Sequence, residues 1–158
     1  MNCPYCDSRI GVLPDNRSCP HCGAPLGAAA QKKPQFPEPP LGKYKQTFGY
    51  MEIQERGVKF YEKFLLSDKV NRIVPYDEII EVAYRPAVAN SQMGFLCVRG
   101  WQDRYLPIAK TYSEACDDST AVVFGYRENR KYYQVYEFLK KCADISNAAR
   151  ELQGESRL

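Results

Sequence analysis

The sequence predicts a mainly β protein in two parts: a small cysteine-stapled ribbon, then a seven-stranded β domain closed by a C-terminal helix. Three observations predict it. From residue 43 to 126, short segments rich in β-branched and aromatic residues recur between turn signals, the mark of a sandwich or barrel. Across residues 128–152 the apolar residues instead recur at spacings of three and four, which is one helical stripe. Ahead of both, four cysteines stand as two C-x-x-C pairs within the first 26 residues. So short a segment cannot bury enough apolar surface to fold unaided.

A chain of 158 residues accommodates one main domain and an appendage. Hydrophobic residues make up 44% and charged residues 26%, ordinary for a globular protein. The net charge of +3 is too small to argue for nucleic acid or an anionic membrane by itself. The twelve tyrosines favour strands and half-buried surfaces. Seven cysteines is an odd count, with Cys97, Cys116 and Cys142 scattered along the chain. The paired remainder points to metal binding in a reducing compartment rather than to a disulfide scaffold. No apolar run approaches the ~20 residues of a membrane span. Met1-Asn2-Cys3 opens neither a basic nor an apolar stretch, so no signal peptide is expected and the predicted location is cytoplasmic.

The first motif is Cys3-Pro4-Tyr5-Cys6, followed after twelve residues by Cys19-Pro20-His21-Cys22-Gly23. Zinc takes four ligands in a tetrahedron, and structural sites favour thiolates. Two tight C-x-x-C turns aim two sulfurs each at one point. Pro4 and Pro20 preset the backbone of each turn, and Gly23 lets the chain turn away after the last ligand. A redox C-x-x-C pair needs a βαβ context, which is missing. Iron suits the same four sulfurs, but the chain between the knuckles is short for it. The prediction is therefore one structural zinc held by Cys3, Cys6, Cys19 and Cys22, with no open position for catalysis. His21 reads as a solvent-facing side chain. The segment from Met1 to about Pro25 resembles the zinc ribbons at the N-termini of many bacterial proteins. That resemblance implies a fold and a metal, and no substrate.

The expected organisation is a ribbon over 1–26, a Pro-rich linker over 27–42, the β domain with its helix over 43–152, and a tail over 153–158. The linker reads GAAAQKKPQFPEPPLG, and its Pro34–Pro40 stretch should be extended and semi-rigid. Strands are expected at Tyr44–Gln54, Val58–Leu66, Arg72–Tyr76, Ile79–Tyr84, Gly94–Arg99, Arg104–Ile108 and Thr120–Tyr126. Turns are expected at Glu55–Gly57, Ser67–Lys69 and Gly100–Asp103, and a polar loop at Ser113–Asp118. Pro75 marks the edge or the end of its strand. The helix stripe is Val135, Phe138, Leu139, Cys142, Ile145, Ala149 and Leu152. Cys97 and Cys142 fall on core positions.

Seven antiparallel strands followed by one amphipathic helix resemble the pleckstrin-homology-like (PH-like) barrel. The segment Arg72-Ile73-Val74-Pro75-Tyr76-Asp77-Glu78-Ile79-Ile80-Glu81-Val82 is similar to a passage of bacterial PH-like and GRAM-like domains, and Gly94–Val98 fits the strand after it. The resemblance covers roughly residues 43–150. It implies a binding module for peptides, proteins or lipid headgroups, and no catalysis.

Function divides into three readings. The first is a zinc-binding adaptor whose partner is a protein or peptide, with Trp101, since Trp is enriched in binding hot spots, and the basic Arg56 and Lys59 as candidate contacts. The second is a PH module for membrane phospholipid. Against it, the Glu55–Gly57 turn is short, and Glu52, Glu55 and Glu62 interleave with Arg56, Lys59 and Lys63. The third is nucleic-acid binding through the ribbon, but Arg9 and Arg17 are balanced there by Asp7 and Asp15. No catalytic residue is expected: no G-x-S-x-G, H-E-x-x-H or P-loop pattern occurs, and the one histidine lies inside the ribbon.

Overall fold

The computed structural model describes residues 6–9, 21–22, 34–46, 49–64 and 67–154. The chain divides into two compact units, Met1–Gln35 and Phe36–Leu158. The expected strand end at Leu66 and the tail beyond Gly154 lie outside the described residues.

The second unit opens with an antiparallel meander: β1 (Gly42–Gln46), β2 (Gly49–Ile53), β3 (Gly57–Phe64) and β4 (Ser67–Pro75), in that spatial order. The register explains why these residues form a sheet. Tyr44 stands opposite Met51, and Met51 opposite Phe60; Ile53 stands opposite Val58, and Val58 opposite Val74. All six are buried, so one face is continuously apolar, as the period of two demands. On the other face Lys43, Glu52, Lys59 and Ile73 form a cross-strand row. Alternating charge on neighbouring strands favours this register.

The second sheet holds β5 (Ile79–Arg85), β6 (Gly94–Gly100) and β7 (Ala121–Phe124), with β6 in the middle. Every residue of β6 is buried. Leu96 and Val98 face the main core, which both sheets and the C-terminal helix share. Phe95 and Cys97 face a second, smaller core with Ala109 and Ala115. Gly94 is required by space: a Cβ there would lie 2.6 Å from the Arg85 carbonyl, the Ala87 nitrogen and the Phe124 ring.

Helix α2 (Asn129–Leu152) closes the domain. Its buried face is Tyr132, Val135, Phe138, Leu139, Cys142, Ala143 and Ser146. The Tyr132 ring stacks on Phe124 at 4.2 Å, and Phe138 meets Tyr76 edge-on at 5.2 Å. Polar ties fix its angle. Asn129 exchanges two 2.8 Å hydrogen bonds with the Ala87 backbone, Ser146 donates to the Tyr76 carbonyl at 2.7 Å, and Asn147 donates to the Ile80 carbonyl at 2.9 Å. No described helix is long and apolar enough to cross a membrane.

Several expectations need correction. Tyr44–Gln54 is two strands, because the chain doubles back before Gly49. Ser67–Lys69 is not a turn; it begins β4, which pairs with β3 back to Phe64↔Ser67. Arg104–Ile108 is no strand, since the chain makes a 3₁₀ turn at Trp101–Asp103 and then runs irregularly over the outer face of β6. The polar loop Ser113–Asp118 is largely a helix, α1 (Tyr112–Asp117), started by a capping box between Thr111 and Glu114. At the end of the α2 stripe, Leu152 is 82% exposed, because the helix has run past the core. Pro75 does end β4, the edge strand of its sheet. The last residues of the expected linker belong to the second unit. There the Phe36 ring packs 6.0 Å from Tyr76, and the Tyr44 hydroxyl donates to the Pro40 carbonyl at 3.1 Å.

Candidate functional site

Of the four predicted zinc ligands, Cys3 and Cys19 lie outside the described residues. Cys6 and Cys22 are both exposed and both sit in turns. Asp7, directly after Cys6, has φ 58°. That left-handed conformation turns the chain away just past the second cysteine of a knuckle.

Arg56 is exposed in the turn between β2 and β3, where its carbonyl accepts from the Tyr76 amide at 3.1 Å. Lys59 is half-buried on the outer face of β3, between Glu52 and Ile73. Glu52 also accepts a 2.9 Å hydrogen bond from Tyr61. Lys59 therefore stands beside a carboxylate.

Trp101 is half-buried in the 3₁₀ turn after β6. The guanidinium of Arg104 lies 4.7 Å from its ring centroid, and that of Arg150, from α2, lies 4.6 Å away. Arg150 also donates to the Asp77 carbonyl at 2.6 Å. The indole thus ties the end of α2 to the chain beyond β6. The structure does not gather Trp101, Arg56 and Lys59 into one cavity lining; each has its own neighbours.

The feature that sequence reasoning missed lies on the outer face of β6. A groove of about 650 Å³ runs between Arg72 of β4, the 106–110 segment and the residues from Glu114 to Ser119. Its floor is Arg99, only 4% exposed. Arg99 continues the outward series of Phe95 and Cys97, so its burial follows from the strand period. One of its terminal nitrogens bonds Asp118 at 2.6 Å and the Pro107 carbonyl at 2.8 Å. Its Nε is buried without a hydrogen-bond partner among the described residues. At the wall, Arg72 pairs with Asp103.

Asp118 is the hub. It accepts from Arg99, from the Thr120 amide and hydroxyl at 2.9 Å each, and from the Cys97 thiol at 3.4 Å. Burial acts to raise its pKa, but the Thr120 and Arg99 bonds outweigh burial and hold the carboxyl below its usual range. Burial pushes the Cys97 thiol up to about 12 and the Cys142 thiol likewise. Both behave as the small core residues expected of them. The signals for this region were readable in the uninterrupted apolar run of β6, which marks burial on both faces, and in the Thr111–Glu114 spacing.

No family model, curated protein or solved structure matches this chain.

Proposed function

We propose that the protein is a non-enzymatic adaptor, in which a four-cysteine zinc ribbon is tethered to a PH-like barrel that binds a protein or peptide. The observation that carries the reading is the order of elements in the second unit. A four-stranded meander, a three-stranded sheet and one closing helix sharing a single core match the arrangement of PH-like modules, which present binding surfaces. The groove on the outer face of β6 supplies such a surface here. The outer row of Lys43, Glu52 and Lys59 favours a mixed-charge partner over a polyphosphate headgroup, since neighbouring carboxylates offset the attraction. In the ribbon, Cys3, Cys6, Cys19 and Cys22 would hold one zinc, which staples a segment too small to fold alone. Two modest binding heads on a short tether raise each other's effective concentration.

The test is capture from a native lysate with the full chain, run beside liposome co-sedimentation with and without phosphoinositides. A protein partner retained at moderate salt, with no headgroup-selective sedimentation, supports the adaptor. Salt-resistant, headgroup-selective binding lost on R56E/K59E would replace it with a membrane module.

A further inference from the structure

We propose that the groove beside β6 is the docking site for a short extended peptide segment carrying a basic side chain; this deepens the protein-binding reading and rests on it. Four observations converge on that occupant.

First, one wall carries Arg72 of β4, an edge strand of its sheet. An edge strand presents backbone N–H and C=O groups, and another extended backbone is the group that satisfies a row of them. Second, the floor holds a donor that the fold leaves unused. Arg99 is 4% exposed, its Nη2 is committed to Asp118 and Pro107, and its buried Nε meets no acceptor among the described residues. A buried donor without a partner costs free energy, and a peptide carbonyl is an acceptor of the right kind. The irregular 106–110 segment lines the same groove as Arg99.

Third, the lining includes an accessible apolar side chain: Leu106 is 57% exposed. Fourth, charge decides the sign of the ligand. Arg72 pairs with Asp103, Arg99 pairs with Asp118, and Glu114 accepts from the Lys110 and Thr111 amides. The lining then counts Arg72, Arg99 and Lys110 against Asp103, Glu114, Asp117 and Asp118, a net of minus one. Asp117 is exposed and open to a cation from outside. An anionic headgroup would meet this excess of carboxylates. A peptide with a lysine or arginine would complement it.

The experiment selects from a random heptapeptide library on the immobilised full chain, then titrates the enriched peptide into ¹⁵N-labelled full chain. Expected are enrichment of peptides with an apolar and a basic residue, and shifts in the amides of residues 72–74 and 106–110. The Arg99 Nε–H resonance, which a contact elsewhere would not move, should shift with them. Leu106→Glu and Asp117→Lys change exposed side chains, so both should keep the native spectrum and each should weaken binding at least tenfold. Failure to enrich any peptide over a blank surface overturns the groove. So does unchanged affinity in both variants, or a shift map confined to β1–β3. A lysate partner captured equally by wild type and Leu106→Glu would keep the adaptor reading and remove the groove from it.

Discussion

Arg99 and Asp118 meet at 2.6 Å on the outer face of β6, with side chains only 5% and 13% exposed. The strand period turns Arg99 away from the main core, and the chain from Pro107 to Asp118 then folds over it. Two hydrogen bonds from Thr120 hold the carboxylate in place. Breaking such a buried pair by removing one charge typically costs about 3–5 kcal/mol, because the other charge stays buried alone.

Asp118→Asn should therefore destabilise the domain by about that amount, a large part of a total of about 5–15 kcal/mol. The pH dependence follows from the sign of the shift. The folded carboxyl has a lowered pKa, so its contribution is complete above the unfolded value of about 4. It is lost as the pH falls through that value towards the folded one. Urea denaturation at pH 7 and at pH 3 checks both points. The gap between wild type and Asp118→Asn should be wide at pH 7 and narrower at pH 3. Equal stabilities at pH 7 would exclude the ion pair as a structural element.

The sequence disclosed the seven-strand count, the helix and the core role of Cys97 and Cys142, because each rests on a period that side chains must obey. The count was right through two errors that cancel: Tyr44–Gln54 concealed a hairpin, and Arg104–Ile108 is not a strand. In one continuous strand Tyr44 and Met51, seven apart, would point to opposite faces; the hairpin puts both on the buried one, and the loose alternation over Tyr44–Gln54 was too irregular to show the reversal. The groove escaped for a different reason. Its floor is a buried arginine, and no period distinguishes Arg99 from a solvated one; only the covering segment, placed by Phe95, Ala109 and Ala115, makes it so. The four cysteines proposed to hold zinc stand out by their spacing alone, and Cys3 and Cys19 lie outside the described residues.

Gly94→Ala tests the corner between β5 and β6. The new Cβ would fall 2.6 Å from two backbone atoms and from the Phe124 ring. Backbone cannot swing aside as a long side chain can, so the loss should be at least about 1–3 kcal/mol, the usual range for overpacking. Gly125→Ala is the control, with nothing within 4 Å of its Cβ. Thermal melts of the two variants should differ clearly. If they match wild type together, the tight packing of β6 against the Ala87 loop is not as described.

Cys19→Ser should release the metal and leave the second unit folded. The compact division falls between Gln35 and Phe36, and the main core described for the second unit draws no residue from before Phe36. Elemental analysis should fall from one zinc per chain to well below one, because three thiolates bind far less tightly than a closed set of four. The thermal transition of the β domain should stay within about 0.5 kcal/mol of wild type, as for a substitution remote from its core. Loss of both together would show that the two units fold as one.

Arg150→Ala tests whether the end of α2 is fastened through Trp101. The guanidinium lies 4.6 Å from the indole centroid and donates to the Asp77 carbonyl at 2.6 Å. Half-exposed cation–π contacts contribute about 0.5–1 kcal/mol, so the domain should lose roughly 1 kcal/mol, with the hydrogen bond included. Trp101 is the one tryptophan in the chain, so its emission reports this contact without interference. Removing the guanidinium uncovers the ring, and the emission maximum should move to the red in the folded state. Arg150→Lys keeps the charge but loses the flat face that stacks on the indole, so it should fall between the two. Arg104 also lies over the ring, at 4.7 Å in the unmodified chain, and its side chain limits the size of the shift. A maximum unchanged in Arg150→Ala, with hydrogen exchange at residues 147–152 also unchanged, would mean that Arg104 and the polar ties of Ser146 and Asn147 hold this end alone.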